Sequence, residues 1–302
     1  MELCARLPFV GTTLYKYSQK LFGRLKADPL SGISAQKKMA TCILAQNASI
    51  EGKTLLEIGT GHVPILPIGF FLSGSESIIT IDLNRRLDID ITRTSLKWMI
   101  ENRGMLEEMY AEIIQPSLWT ERFRIIEQFW SDPYLFFSKA NIRYLAPANA
   151  AKTQLSEKSI DYIFSISVLE HIPEEIICEI GIESTRILKD DGFIIHLIDL
   201  SDHFQHQDNS ITKINFLRFS QKEWMRIANN QFAYCNRMRK SDYLAMFKKL
   251  HLDAVKIEPE LDNESLEALR KSFPLHKEFS HYVSEDLCSS LLYITLKKRL
   301  FS

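Results

Sequence analysis

Short apolar runs recur along the chain, most of them closed by glycine, proline or an acid. They fall at about residues 54–58, 77–82, 141–145, 160–166, 192–198, 252–258 and 289–297. Near-continuous Ile, Leu, Val and Phe over so few positions predicts strands buried on both faces. Segments with helical spacing lie between them, such as Ile65 to Leu72. Alternation of this kind predicts an α/β chain whose sheet is mostly parallel, seven-stranded and covered by helices on both sides.

The flanking and connecting segments complete this layout. Residues 1–50 read as N-terminal helical cover. Leu14, Tyr15, Leu21, Phe22 and Leu25 give one apolar stripe, Asp28-Pro29 breaks it, and a second helix is expected from Ser34 to about Asn47. Two connections exceed what a simple crossover needs. The first, at 87–137, carries Trp98, Tyr110, Trp119, Phe123, Phe129, Trp130, Phe136 and Phe137. It predicts two or three helices forming a lid over an acceptor site. The second, at 199–240, is expected as a substrate-side insertion. The whole of 1–302 is read as a single domain.

The sharpest chemical signal is Glu57-Ile58-Gly59-Thr60-Gly61, at the end of the first apolar run, followed by Asp82-Leu83 at the end of the second. Glycines there let a backbone approach a ligand without a Cβ in the way. Asp82, 21 positions after Gly61, stands where an acid can hold ribose hydroxyls. The third glycine of a dinucleotide fingerprint is missing, because position 64 is Pro64. Proline suits the first turn of a helix, so the turn can still lead into one.

E-x-G-x-G resembles the first motif of class I S-adenosylmethionine-dependent methyltransferases. Three later stretches also resemble that family in order. They are Asn149-Ala150, the run Ser159-Ile160-Asp161 through Ser165 to Val168-Leu169-Glu170-His171-Ile172-Pro173, and Leu188-Lys189-Asp190-Asp191-Gly192. Val63 stands where the family usually has a further glycine, and Asn149 where it more often has aspartate. The resemblance implies a Rossmann-like sheet with an antiparallel last strand at Leu291–Leu296, and S-adenosylmethionine as cofactor. It also implies Glu57, Gly59, Gly61, Asp82, Leu83, Asn149, Ala150 and Ser165 as cofactor-binding residues. Transfer to a small molecule or biosynthetic intermediate is implied, with oxygen favoured over nitrogen as acceptor. The competing readings are a nicotinamide-dependent oxidoreductase and a non-catalytic adenosylmethionine-binding relative.

A hydroxyl acceptor must lose its proton, and the candidate bases are His203 and His171, with His203 favoured for its neighbours Asp199 and Asp202. His171 is expected to serve more in packing beside Glu170. Arg237 and Arg239 are expected to clamp a substrate anion. Two histidines and two aspartates so close could hold a divalent metal. No second compact ligand cluster supports one, and none is expected.

Lys and Arg total 37 against 38 Asp and Glu, a net charge of -1. The balance argues against a nucleic-acid partner. Five scattered cysteines without a C-x-x-C argue against a disulfide framework or zinc site. No apolar run is long enough for a membrane span, and no signal-peptide pattern opens the chain. A cytoplasmic protein acting on a small molecule is expected.

Overall fold

The computed structural model describes residues 27–228 and 234–299. The stripe from Leu14 to Leu25 lies outside them. Asp28 and Pro29 start a helix, five residues ahead of the expected Ser34. In α1 (Pro29–Leu44) the Asp28 carboxylate accepts from the Ser31 amide at 3.2 Å, and Pro29 occupies the first turn. A proline there forfeits no hydrogen bond, so the helix begins before Ser34.

The strands are β1 (Thr54–Ile58), β2 (Ser77–Ile81), β3 (Ile142–Leu145), β4 (Ile160–Ile166), β5 (Leu188–Asp199), β6 (Leu252–Leu261) and β7 (Ser289–Lys298). They form one seven-stranded sheet in the order β3-β2-β1-β4-β5-β7-β6. β1 runs parallel to both β2 and β4, and β2 to β3. β6 and β7 are antiparallel. The order reverses between β2-β1 and β4, a switch point at which ligands commonly bind beyond the carboxyl ends of the strands. The sheet is the Rossmann-like one expected.

The chain divides into two compact units. The first takes residues 27–165 with Ile182–Ile195. Its helices are α1, α2 (Ile65–Leu72), α3 (Ile89–Glu101), α4 (Arg103–Tyr110), α5 (Pro116–Phe129) and α6 (Pro133–Lys139). The 87–137 segment therefore builds four helices where two or three were expected. Asn102 both ends α3 and precedes α4, while Pro116 and Pro133 each open a new helix.

The start of this segment is bonded beside the β1 turn, where the Asp88 amide donates to the His62 carbonyl at 2.8 Å, and later contacts lead to α1, α2 and the amino end of β2. Tyr110 donates to Gln36 at 2.7 Å, and Gln36 donates to Ser73 at 2.9 Å. The Arg122 guanidinium donates to the carbonyls of Phe71, Ser75 and Gly74. Trp119 and Phe123 stack in the interior, 4.7 Å between centroids. At the same end, Asp161 accepts from the Thr54 amide at 2.9 Å, from Lys189 at 2.8 Å and from Lys53 at 3.2 Å. The acid of the fourth-strand motif thus ties β1, β4 and β5 together at their starts.

The second unit takes Ile166–Gly181 and His196–Arg299. α7 (Glu174–Ile187) begins in it, and α8 (Gln221–Ile227), α9 (Lys240–Lys249), α10 (Asn263–Arg270) and α11 (Ser284–Leu287) lie within it. Its core gathers Phe216, Trp224, Cys235, Phe279, Leu287 and Cys288. Among the described residues, Cys178, Cys235 and Cys288 are free thiols. Among the described residues no helix is long and apolar enough to cross a membrane.

His196 is buried and stacked on Phe247 at 5.7 Å. Burial pushes its pKa down from 6.5 to about 3. The folded state holds it neutral while the unfolded chain binds a proton below 6.5. Its contribution is therefore complete above that pH and is lost as pH falls toward the folded value. A single such proton gives a slope of up to about 1.4 kcal/mol per pH unit. Urea unfolding between pH 7 and pH 4 should show His196→Gln losing stability less steeply than the parent. Equal slopes would show that His196 does not titrate in this way.

Candidate functional site

Two groups of side chains carry the candidate chemistry, one in each unit. In the first unit, the turn after β1 takes Gly59 at φ 86° and Gly61 at φ 65°, backbone that favours glycine. The Gly59 amide donates to the Ile81 carbonyl at 2.8 Å, joining the ends of β1 and β2. The Gly61 amide donates to the Asp82 carboxylate at 3.0 Å. The other Asp82 oxygen accepts from the Asn84 amide at 3.0 Å. No atom lies within 4 Å of where a Cβ on Gly61 would stand, so the turn opens onto clear space. Beside it the Leu83 side chain is 67% exposed. α2 follows with Pro64 as its N-cap and no side-chain cap.

Glu57, expected to contact the cofactor, is placed beneath the turn. It is buried and accepts a hydrogen bond from Thr80, whose hydroxyl also meets Thr60 at 2.5 Å. Burial raises its pKa to about 8. Its work is to brace the turn from below. Ser165 is likewise fully buried. Asn149 and Ala150 follow β3: Asn149 is exposed, and its side-chain oxygen accepts from the Ala151 amide at 2.9 Å.

The second unit assembles a titratable cluster from the turn after β4 and the loop after β5. Ser167 follows β4 at φ 49°, a left-handed conformation unusual for a residue with a Cβ. A short 3-10 turn then carries Leu169, Glu170 and His171. The His171 and His203 rings meet edge to face at 4.9 Å, and His203 stacks on His206 at 5.1 Å. His171 is exposed, and its Nδ1 donates to the Tyr234 carbonyl at 2.9 Å. His171, though exposed, is held in the turn after β4 by that bond and by its contact with the His203 ring.

His203 Nε2 stands 3.4 Å from the Asp199 carboxylate, an ion-pair distance too long for a regular hydrogen bond. Burial would lower the His203 pKa, but Asp199, Glu170 and Asp202 outweigh it and hold it above the ordinary value. Burial would likewise raise Asp199; His203 and the two bonds from Ser201 bring it below the usual range. Asp202 is fully buried, and burial raises its pKa. It accepts from the Phe204 amide and Asn215, which dedicates it to holding the loop. Glu170 is pushed up to about 8 by burial.

Arg237 and Arg239, expected to clamp a substrate, hold backbone instead. Arg237 donates to the carbonyls of Phe216 and Phe219 and to Gln221. Arg239, fully buried, donates to the carbonyls of Leu200, Leu287 and Arg237. Both guanidiniums lie over aromatic rings, Arg237 on Phe279 at 4.8 Å and Arg239 on Phe216 at 5.2 Å.

Asn236 is the positioning residue that sequence reading missed. Its amide donates to the Glu170 carbonyl at 2.8 Å. Its side chain donates to the carbonyls of Leu169 and Ile172 at 2.8 and 2.9 Å. One residue therefore fixes the whole turn that carries Glu170 and His171. The only signal in the sequence was the polar run Asn236-Arg237-Met238-Arg239, whose pattern suits a surface clamp equally well.

No family model matches this chain, and no curated protein matches it. Solved structures do. Geranyl diphosphate C-methyltransferase from Streptomyces coelicolor A3(2) was crystallised with Mg2+, geranyl diphosphate and S-adenosyl-L-homocysteine. It is 13% identical, with a TM-score of 0.46, over 88% of this chain and 79% of that one. A SAM-dependent methyltransferase from Methanosarcina mazei is 12% identical, TM-score 0.46, over 85% of this chain and 98% of that one. Likenesses this distant transfer no activity, and the functional reading rests on the residues themselves.

Proposed function

We propose that this chain is an S-adenosylmethionine-dependent methyltransferase acting on a small molecule or biosynthetic intermediate, with an oxygen acceptor favoured over nitrogen. The observation that carries the reading is the β1 turn. Two left-handed glycines shape it, the second opens onto clear space, and the amide of that second glycine is bonded to the acid that follows β2. That arrangement fits an adenosine-containing cofactor. Pro64, in place of a third glycine, favours adenosylmethionine over a dinucleotide.

In this reading Asp82 accepts from the ribose hydroxyls, since an ionised carboxylate has lone pairs beyond the two used by Gly61 and Asn84. The exposed Leu83 side chain lies against the adenine. Asn149, with a second lone pair on its oxygen, accepts from the adenine amino group. Glu57 and Ser165 support the cradle from within. When bound there, the cofactor supplies a methyl group already activated by its sulfonium. The protein then has to orient an acceptor, worth roughly 7–11 kcal/mol when done well, and remove a hydroxyl proton, worth ~10²–10⁴-fold. His203, paired with Asp199, takes that proton, and His171 is the second candidate.

Titration calorimetry with S-adenosylmethionine and, separately, with NAD tests the assignment. Adenosylmethionine is expected to bind and NAD to give no heat beyond dilution. Tight NAD binding without a response to adenosylmethionine would overturn the proposal in favour of an oxidoreductase.

A further inference from the structure

A buried carboxyl group needs a hydrogen-bond donor, a proton or a cation. Glu170 is 1% exposed, and neither of its oxygens makes a hydrogen bond. The Nε2 of His203 is buried without one as well. These residues converge with His171. One oxygen of Glu170 and one ring nitrogen each of His171 and His203 all lie within 4.8 Å of one another. Among the described residues this is the one such group of three.

We propose that Glu170, His171 and His203 form a binding site for a divalent first-row transition-metal ion such as Zn2+ or Co2+. Two imidazoles and one carboxylate are a donor set those ions accept in three-ligand sites. Mg2+ and Ca2+ prefer oxygen ligands almost throughout and are disfavoured. The surroundings suit a ligand set. A carbonyl can only accept, so the bond to Tyr234 makes His171 Nδ1 the protonated nitrogen and orients the ring. Metal-bound histidines are usually oriented by a bond of this type. The Asp199 carboxylate beside His203 Nε2, at 3.4 Å, adds negative charge.

The backbone under the site is held in advance by the three bonds from Asn236. Ligands about 2.0–2.2 Å from zinc stand about 3–3.5 Å apart. Small side-chain rotations of Glu170 and His203 would close the triangle to that size. Three protein ligands leave a coordination position for a water or another oxygen. The sequence placed the metal question at His203 and the aspartates. The structure moves it to Glu170, because only folding removes that carboxylate from water. The proposal rests on these side chains alone and holds whether or not the chain transfers methyl groups; while an ion holds its lone pair, His203 has none for an acceptor's proton, so its role as base belongs to the metal-free chain.

The test is titration of the full chain, stripped with a chelator, with Co2+ and no other ligand. Visible absorption and calorimetry supply the readouts. One Co2+ per chain is expected, with d–d bands and no thiolate charge-transfer band. Glu170→Gln and His203→Gln should each weaken binding by roughly 10–100-fold or more. His206→Ala, which removes a ring stacked on His203 but no ligand, should bind as the parent does. Circular dichroism establishes that each variant is folded. A folded parent that takes up no Co2+ at millimolar concentration overturns the proposal. So does binding undiminished in both substituted chains, which would place the ion elsewhere. Adenosylmethionine binding is measured independently, so failure here leaves that reading untouched.

Discussion

Arg239→Met is expected to lower the thermal midpoint by about 6–20 °C. The side chain is fully buried, and its guanidinium satisfies the carbonyls of Leu200, Leu287 and Arg237. Methionine fills much of the volume but donates nothing, so those carbonyls lose their donor. Buried Asp286, whose charge the guanidinium opposes, loses its counterweight. Breaking a buried charge arrangement on one side costs about 3–5 kcal/mol. Each kcal/mol is worth about 2–4 °C in a chain somewhat smaller than this one. Arg239→Lys keeps the charge but not the fork, and should fall between. Differential scanning calorimetry gives the midpoints. An unchanged midpoint, together with a raised KM for the acceptor, would restore Arg239 as a substrate clamp and refute the structural role.

The second large effect is on cofactor binding. Asp82→Ala should weaken S-adenosylmethionine by roughly 10–150-fold, the equivalent of a charge-assisted hydrogen bond at about 1.5–3 kcal/mol. Two causes add. The acceptor for the ribose hydroxyls goes, and so does the carboxylate that holds the Gly61 and Asn84 amides in place. Asp82→Asn keeps an acceptor oxygen and should lose less. Calorimetric titration of the folded variants reads both. Parental affinity in Asp82→Ala would show that the ribose is held elsewhere.

Several differences between sequence reading and structure have one physical origin. Asp28-Pro29 looks like a helix break because proline cannot continue a helix, yet the same pair is well suited to begin one. It begins one here because apolar Ile33, Met39, Ala40 and Ile43 downstream were there to be buried. The prolines at 116 and 133 act in the same way, which is why 87–137 became four helices. Where those helices would pack was not legible. The Arg122 bonds to the Phe71, Gly74 and Ser75 carbonyls depend on positions far apart in the chain.

The sequence by itself determined the strands, their order of appearance and the cradle turn. Strand burial is written in contiguous residues, and a left-handed turn needs glycine wherever it falls. β1 and β4 were read to the residue, and Gly59, Gly61 and Asp82 meet as their spacing implied. Only the tertiary structure decided what the charged residues do. Asp161 became a tie among strand starts, Arg237 and Arg239 became backbone donors, and Glu57 became a buried brace. Glu170, which the sequence offered only as the neighbour of a histidine, became a buried carboxyl without a hydrogen bond. A charge takes its role from desolvation and from partners brought in from distant segments, and neither exists until the chain has folded.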